Sequence, residues 1–141
     1  MPDPMRRLNV LVGRWKLVLD HQALGGDLHG VTTFEWIDGV YLRQRMVVEH
    51  PDVINGELVI GADDQTGLYS VCYSDDLGNR RIYQMSVDGG VWRLWREGPD
   101  FAQRFTGTFS DDWDMIDGLW ELNTDGRTWN PDFRLTYRRA S

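Results

Sequence analysis

Residues 30–50 read GVTTFEWIDGVYLRQRMVVEH, and this stretch decides the fold. Two runs rich in β-branched and aromatic residues flank Asp38-Gly39, a dipeptide that tolerates positive φ and closes a tight hairpin. After the turn, alternation sorts the side chains onto two faces. Val40, Leu42, Gln44, Met46 and Val48 share one face, the expected interior, and Tyr41, Arg43, Arg45, Val47 and Glu49 share the other. Before the turn, Thr32, Phe34 and Trp36 fall together.

Working outward, the same pattern recurs at roughly ten-residue spacing, which is the signature of an all-β barrel or sandwich. The sequence predicts ten strands, at about 14–20, 30–37, 40–50, 57–63, 68–75, 80–88, 91–97, 102–110, 115–123 and 127–139. Asn55-Gly56, Asp88-Gly89-Gly90 and Asp125-Gly126 supply further hairpin turns, and Pro51 and Pro99 stop strands they cannot continue. The stretch 4–12 reads as one helical turn that Gly13 ends, and 21–29 reads as the longest loop. Short connections make successive strands antiparallel neighbours. The expectation is therefore a single domain over residues 1–141, an up-and-down barrel whose closure removes exposed edges. A sandwich is the alternative, but Greek-key sandwiches need long crossovers that are not found here.

Composition narrows the partners. A formal net charge of −7 argues against nucleic acid and against an anionic membrane surface, both of which call for clustered cations. The acids crowd into turns, as at Asp63-Asp64, Asp75-Asp76 and Asp111-Asp112, where Asp bonds its own backbone. One cysteine, Cys72, precludes an internal disulfide, and residues 1–9 lack a signal-like apolar run, so a reducing cytoplasm is the expected location.

Seven Trp, five Phe and five Tyr are more aromatic surface than a small solid core needs. Either they fill the barrel, or ten strands leave a cavity that they line, since barrel width grows with strand number. The candidate lining set is Trp36, Gln44, Met46, Tyr83, Met85, Trp92, Arg104, Phe105 and Trp120.

The segment Leu8-x-x-Leu11-Val12-Gly13-Arg14-Trp15 resembles the start of calycin barrels, where a helical turn leads into Gly-x-Trp on the first strand. The resemblance implies that Trp15 plugs the closed end and that a basic residue of the last strand covers its ring by cation–π contact. Gly13, Trp15 and Arg138 are the residues assigned to that closure, with Arg139 as the neighbouring alternative. Trp36-x-x-Gly39-x-Tyr41-Leu42 and Gly61-x-Asp63-x-x-Thr66-Gly67-x-Tyr69, followed by Asp75-Asp76-x-Gly78, are similar to bacterial lipocalin-like proteins. In a related branch, the nitrobindin-like barrels, a His late in the chain binds heme. Here His21, His29 and His50 all lie in the first third, and the last strands carry Asn123, Asn130 and Arg134, a departure from that pattern that leaves heme binding as a lesser alternative to the functions below.

Three functions remain open. The leading one is a binding protein for a small hydrophobic or aromatic molecule, without cofactor or metal. The second is a small barrel enzyme of isomerase, cyclase or decarboxylase kind, using Gln44, Tyr83, Arg104 or Glu121 if these reach the lumen. No Gly-x-Ser-x-Gly occurs, and Cys72, between Val71 and Tyr73, reads as a packed thiol. The stretch 111–117 is acidic but lacks the ligand spacing of an EF-hand. The third is assembly, because Trp92 and Trp95 lie on opposite faces of one strand and an outward Trp suits a homodimer interface.

Overall fold

The computed structural model describes residues 3–140 and shows a closed ten-strand antiparallel barrel. The strands are β1 (Gly13–His21), β2 (Gly26–Ile37), β3 (Tyr41–Val48), β4 (Gly56–Ala62), β5 (Tyr69–Asp75), β6 (Arg80–Asp88), β7 (Val91–Arg96), β8 (Ala102–Phe109), β9 (Met115–Asn123) and β10 (Asn130–Arg139). Each pairs with its sequence neighbours, and β1 pairs with β10 from Trp15↔Arg139 to Asp20↔Arg134 to close the cylinder. The sandwich alternative is thereby set aside. Asp38 and Gly39 both take positive φ, 52° and 66°, as the β2–β3 hairpin requires.

Three boundaries differ from the sequence expectation by more than one residue, each for a local reason. Strand β2 begins at Gly26, not near residue 30, because the β1–β2 ladder continues to His21↔Gly26. A single 3₁₀ turn, Gln22–Leu24, and the positive φ of Gly25 then suffice to reverse the chain. Strand β3 ends at Val48 because the Asn55 side chain takes the place of a strand partner. It accepts from the Val48 N–H at 2.8 Å and donates to the Val48 carbonyl at 3.3 Å. Strand β10 starts late because the Asp125 carboxylate accepts from the amides of Arg127 and Thr128, holding those residues in a turn.

One end of the cylinder is plugged. A short α-helix, α1 (Asp3–Arg6), runs into a 3₁₀ turn, Arg7–Val10, and buries Met5, Leu8 and Leu11. Trp15 is fully buried among them, and its indole N–H donates to the Leu11 carbonyl at 2.9 Å. The cation over its ring is Arg139, with the guanidinium carbon 4.1 Å from the ring centroid, and not Arg138. Register explains the correction. Arg139 lies opposite Trp15 and shares the inward face of Leu135 and Tyr137, whereas Arg138 lies opposite Lys16 and is exposed. Arg139 also donates to the carbonyls of Val12 at 2.9 Å and Val10 at 2.7 Å and pairs with Asp114 at 3.3 Å.

Two predictions follow from this closure and from the turns. Arg139→Met strips two carbonyls of their donor and removes the cover of Trp15, so it should cost about 2–4 kcal/mol in chemical denaturation. Arg138→Met should stay within about 0.5 kcal/mol of the parent. The carboxylates of Asp112 and Asp125 are held below their ordinary value of 3.8, by the Ser110 hydroxyl for the first and by the Arg127 amide for the second. A depressed folded value means that their contribution is present above 3.8 and is lost as pH falls through the folded value. Thermal scans should show a flat Tm down to about pH 4 and a decline below it, and Asp125→Asn should shrink that decline.

Candidate functional site

The other end is open, and a cavity of about 360 Å³ leads down from it into the lumen. That volume lies toward the lower end of the range for small-molecule sites. Its walls are aromatic because successive inward positions on β5 to β10 carry rings. Trp92 is fully buried and packs edge-on against Phe34 at 5.7 Å and Phe105 at 4.8 Å between centroids. The series continues through Phe105–Trp120 at 5.3 Å, Tyr83–Trp120 at 5.8 Å and Tyr73–Tyr83 at 6.3 Å.

A glycine pair makes room for this arrangement. Gly107 and Gly118 are register partners on β8 and β9, and the Phe105 ring lies against both. A Cβ on Gly118 would sit 2.6 Å from that ring, and one on Gly107 would sit 2.9 Å from it.

Six of the nine lining candidates border the cavity: Gln44, Met46, Tyr83, Trp92, Phe105 and Trp120. Trp36, Met85 and Arg104 do not. Trp36 lies past the Gly13↔Phe34 pair, at the plugged end. Met85 lies opposite Tyr69, whose hydroxyl donates to the Pro4 carbonyl of the plug, so Met85 is packed and fully buried. Arg104 faces outward. It forms a two-pronged pair with Glu121 at 2.8 and 3.2 Å and covers the Trp129 ring at 4.2 Å. Of the titratable groups proposed for chemistry, Tyr83 alone reaches the lumen, while Arg104 and Glu121 neutralise one another outside.

The lumen has polar groups that were not anticipated. Arg81 and Gln103 border the cavity, and the Tyr83 hydroxyl donates to Gln103 Oε1 at 2.5 Å. Arg81 was legible in principle, since it shares a strand face with Tyr83. Asp132 was not. The β9–β10 register shifts between Pro131 and Phe133, leaving Asp132 as an extra residue beside Phe133 at the cavity wall. Asp132 accepts from His21 Nε2 at 3.2 Å, while His21 Nδ1 accepts from the Ala23 amide. Deeper down, Gln44 Nε2 donates to the Thr32 hydroxyl at 3.1 Å. Gln44 Oε1 and the Trp92 indole N–H are buried with no partner among the described residues. Each such group costs about 1–3 kcal/mol.

Burial pushes the phenols of Tyr73, Tyr83 and Tyr137 up, and at Tyr73 the hydrogen bond to Asp75 adds to the rise. All three therefore stay protonated near neutrality. These residues do not fit a heme. Among the described residues no His or Cys borders the cavity, its tyrosines resist becoming phenolates, and both ring nitrogens of His21 are engaged. His29 is exposed on β2, and His50 Nδ1 accepts from the Asp52 amide, so the three histidines do not converge. Among the described residues, no group of three His, Cys, Asp or Glu side chains is placed to hold a metal ion. Cys72 faces outward and half-buried, with an Arg80 nitrogen 3.0 Å from its sulfur. Trp95 is also half-buried on the outer wall, its indole donating to Gln84.

No protein-family model and no curated protein sequence matches the chain. The structure is similar to the crystal structure of Rv2717c from M. tuberculosis, with a TM-score of 0.66 and 12% identity. The likeness covers all of this chain and 99% of that one. At that identity the likeness shows a shared fold, which in this chain is a closed barrel of ten antiparallel strands with a short N-terminal helix.

The glycine pair under Phe105 yields a test of the cavity's architecture. Gly118→Ala should cost about 1–3 kcal/mol, because the buried ring has to move off its rotamer. Thermal unfolding should register this as a loss of several degrees in Tm.

Proposed function

We propose that the protein binds a small, largely apolar molecule, with an aromatic or short acyl body, inside the barrel. The observation that carries this reading is the cavity itself, open at one end and walled by rings where a packed core would have closed it. Flat rings at fixed angles present apolar faces that an aromatic guest matches in offset or edge-on geometry. Met46 adds an adaptable side chain to the wall. The unpartnered Gln44 Oε1 and Trp92 N–H favour an occupant carrying a polar atom toward its deep end, since pairing either one offsets a desolvation cost.

Binding fits the lumen better than acid–base chemistry does. The carboxylates at the cavity wall, Glu57 and Asp132, are committed to Arg45 and His21. The phenols are held protonated by burial. Among the described residues, none at the cavity wall pairs a nucleophile with a base.

Titration with 2-naphthamide, a neutral bicyclic probe, should quench tryptophan emission, because Trp92 and Trp120 both border the site. Leu58 points into the same space from β4. Leu58→Trp fills it and should weaken the probe by about tenfold or more, since lost cavity contacts of this size are worth over 1 kcal/mol. Unchanged affinity in that variant would place the probe outside the barrel.

A further inference from the structure

We infer that Arg81 is the anchor for a carboxylate, so that the natural ligand is a small carboxylic acid held head-outward, its apolar body in the lumen and its charge at the mouth. The inference rests on the lumen being the ligand site and goes on to name the ligand's chemical class.

Arg81 stands near the start of β6, at the open end, on the same inward face as Tyr83. Its guanidinium carbon lies 5.3 Å from the Phe101 centroid and 5.8 Å from that of Tyr73. A second guanidinium, Arg96, stands 5.7 Å from the same Phe101 ring. Two cations thus share one aromatic residue at the rim of an apolar cavity, in a chain whose net charge is −7.

Neither cation is neutralised by the protein. Arg43, Arg45, Arg104, Arg134 and Arg139 each have a carboxylate within ion-pair distance. Among the described residues, Arg81 and Arg96 have none within 4.0 Å. The two acids at the cavity wall cannot serve Arg81, because Glu57 is held by Arg45 and Asp132 by His21. A half-buried guanidinium beside aromatic walls is costly unless something pairs with it. Low-dielectric walls also concentrate its field at the entrance, where an arriving anion meets it first.

The donor set suits a carboxylate. The planar guanidinium fork accommodates two oxygens side by side. Gln103 borders the same space, and its carbonyl oxygen is taken by the Tyr83 hydroxyl. The Gln103 amide nitrogen is a further neutral donor on a side chain that borders the cavity. One fork and one amide match a planar monoanion, whereas a phosphate calls for a larger set of donors. The volume sets the size of the body. At about 30 Å³ per water-sized unit, 360 Å³ holds about a dozen non-hydrogen atoms. An aromatic acid or a short acyl acid fits within the wall, and an extended long-chain acid does not.

The test compares 2-naphthoate with 2-naphthamide, which are alike in size and differ in charge, by titration of tryptophan emission and by calorimetry. Wild-type protein should bind the carboxylate at least about tenfold more tightly than the amide, as expected for charge-assisted hydrogen bonds. Arg81→Met should bring the carboxylate down to the level of the amide and leave the amide within about twofold. Added salt should weaken the carboxylate and spare the amide, a readout that needs no variant to fold. Equal affinity of wild type for the two probes, or a carboxylate affinity indifferent to salt, overturns the anchor and leaves the lumen reading standing. Loss of the preference in Arg96→Met but not in Arg81→Met overturns the assignment to Arg81. Failure of both probes to bind sinks the lumen reading, and the anchor with it.

Discussion

The meeting of Trp15 and Arg139 is the constraint on which the rest of the molecule depends. A ten-strand meander becomes a cylinder only if its first and last strands find each other in one register. Trp15 and Arg139 face each other in that ladder, and the guanidinium lies 4.1 Å from the indole. The same side chain reaches the carbonyls of Val10 and Val12, just before β1. One residue near the C-terminal end of the chain therefore fixes strand closure and the seat of the N-terminal plug together. Without a cation there, a buried indole, two carbonyls and the β1–β10 seam would all lose a partner.

Plugging one end decides what the other end can do. Met5, Leu8, Leu11 and Trp15 fill the closed end, so inward residues at that level, such as Met85, are packed solid. Toward the open end no such segment enters, and the inward rings of Trp92, Phe105 and Trp120 face space. The Gly107–Gly118 pair keeps that space in being by letting Phe105 lie flat against the wall. The lumen thus combines a core-like floor with a ligand-like upper half, built by the same alternation of side chains.

Charge is distributed to suit this division. Several arginines in strands lie outside and pair with carboxylates, as Arg104 does with Glu121 and Arg43 with Glu35. The turns carry the excess of Asp, with carboxylates bonded to nearby backbone amides. Arg81 departs from this pattern, being inward and, among the described residues, without a carboxylate partner. In an acidic protein it places a local positive field at the entrance to an apolar pocket.

Turn dipeptides and period-two alternation are local, and the sequence alone therefore determined the ten strands, their antiparallel neighbour pairing, the plug helix and the barrel class. The aromatic richness likewise pointed to Trp92, Phe105 and Trp120 as lumen residues, while the inward face of each of their strands was not fixed by local pattern. Only the tertiary structure decided the rest. The choice of Arg139 over Arg138 depends on the register between the first and last strands, which no local pattern encodes. The outward turn of Arg104 depends on which face of β8 meets the lumen, and the inward turn of Asp132 on a one-residue bulge in β10. The level of the plug decided that Trp36 and Met85 lie away from the cavity. For Arg139, Arg104 and Asp132 the role follows from a long-range alignment of strands, and a shift of one residue would have reversed it.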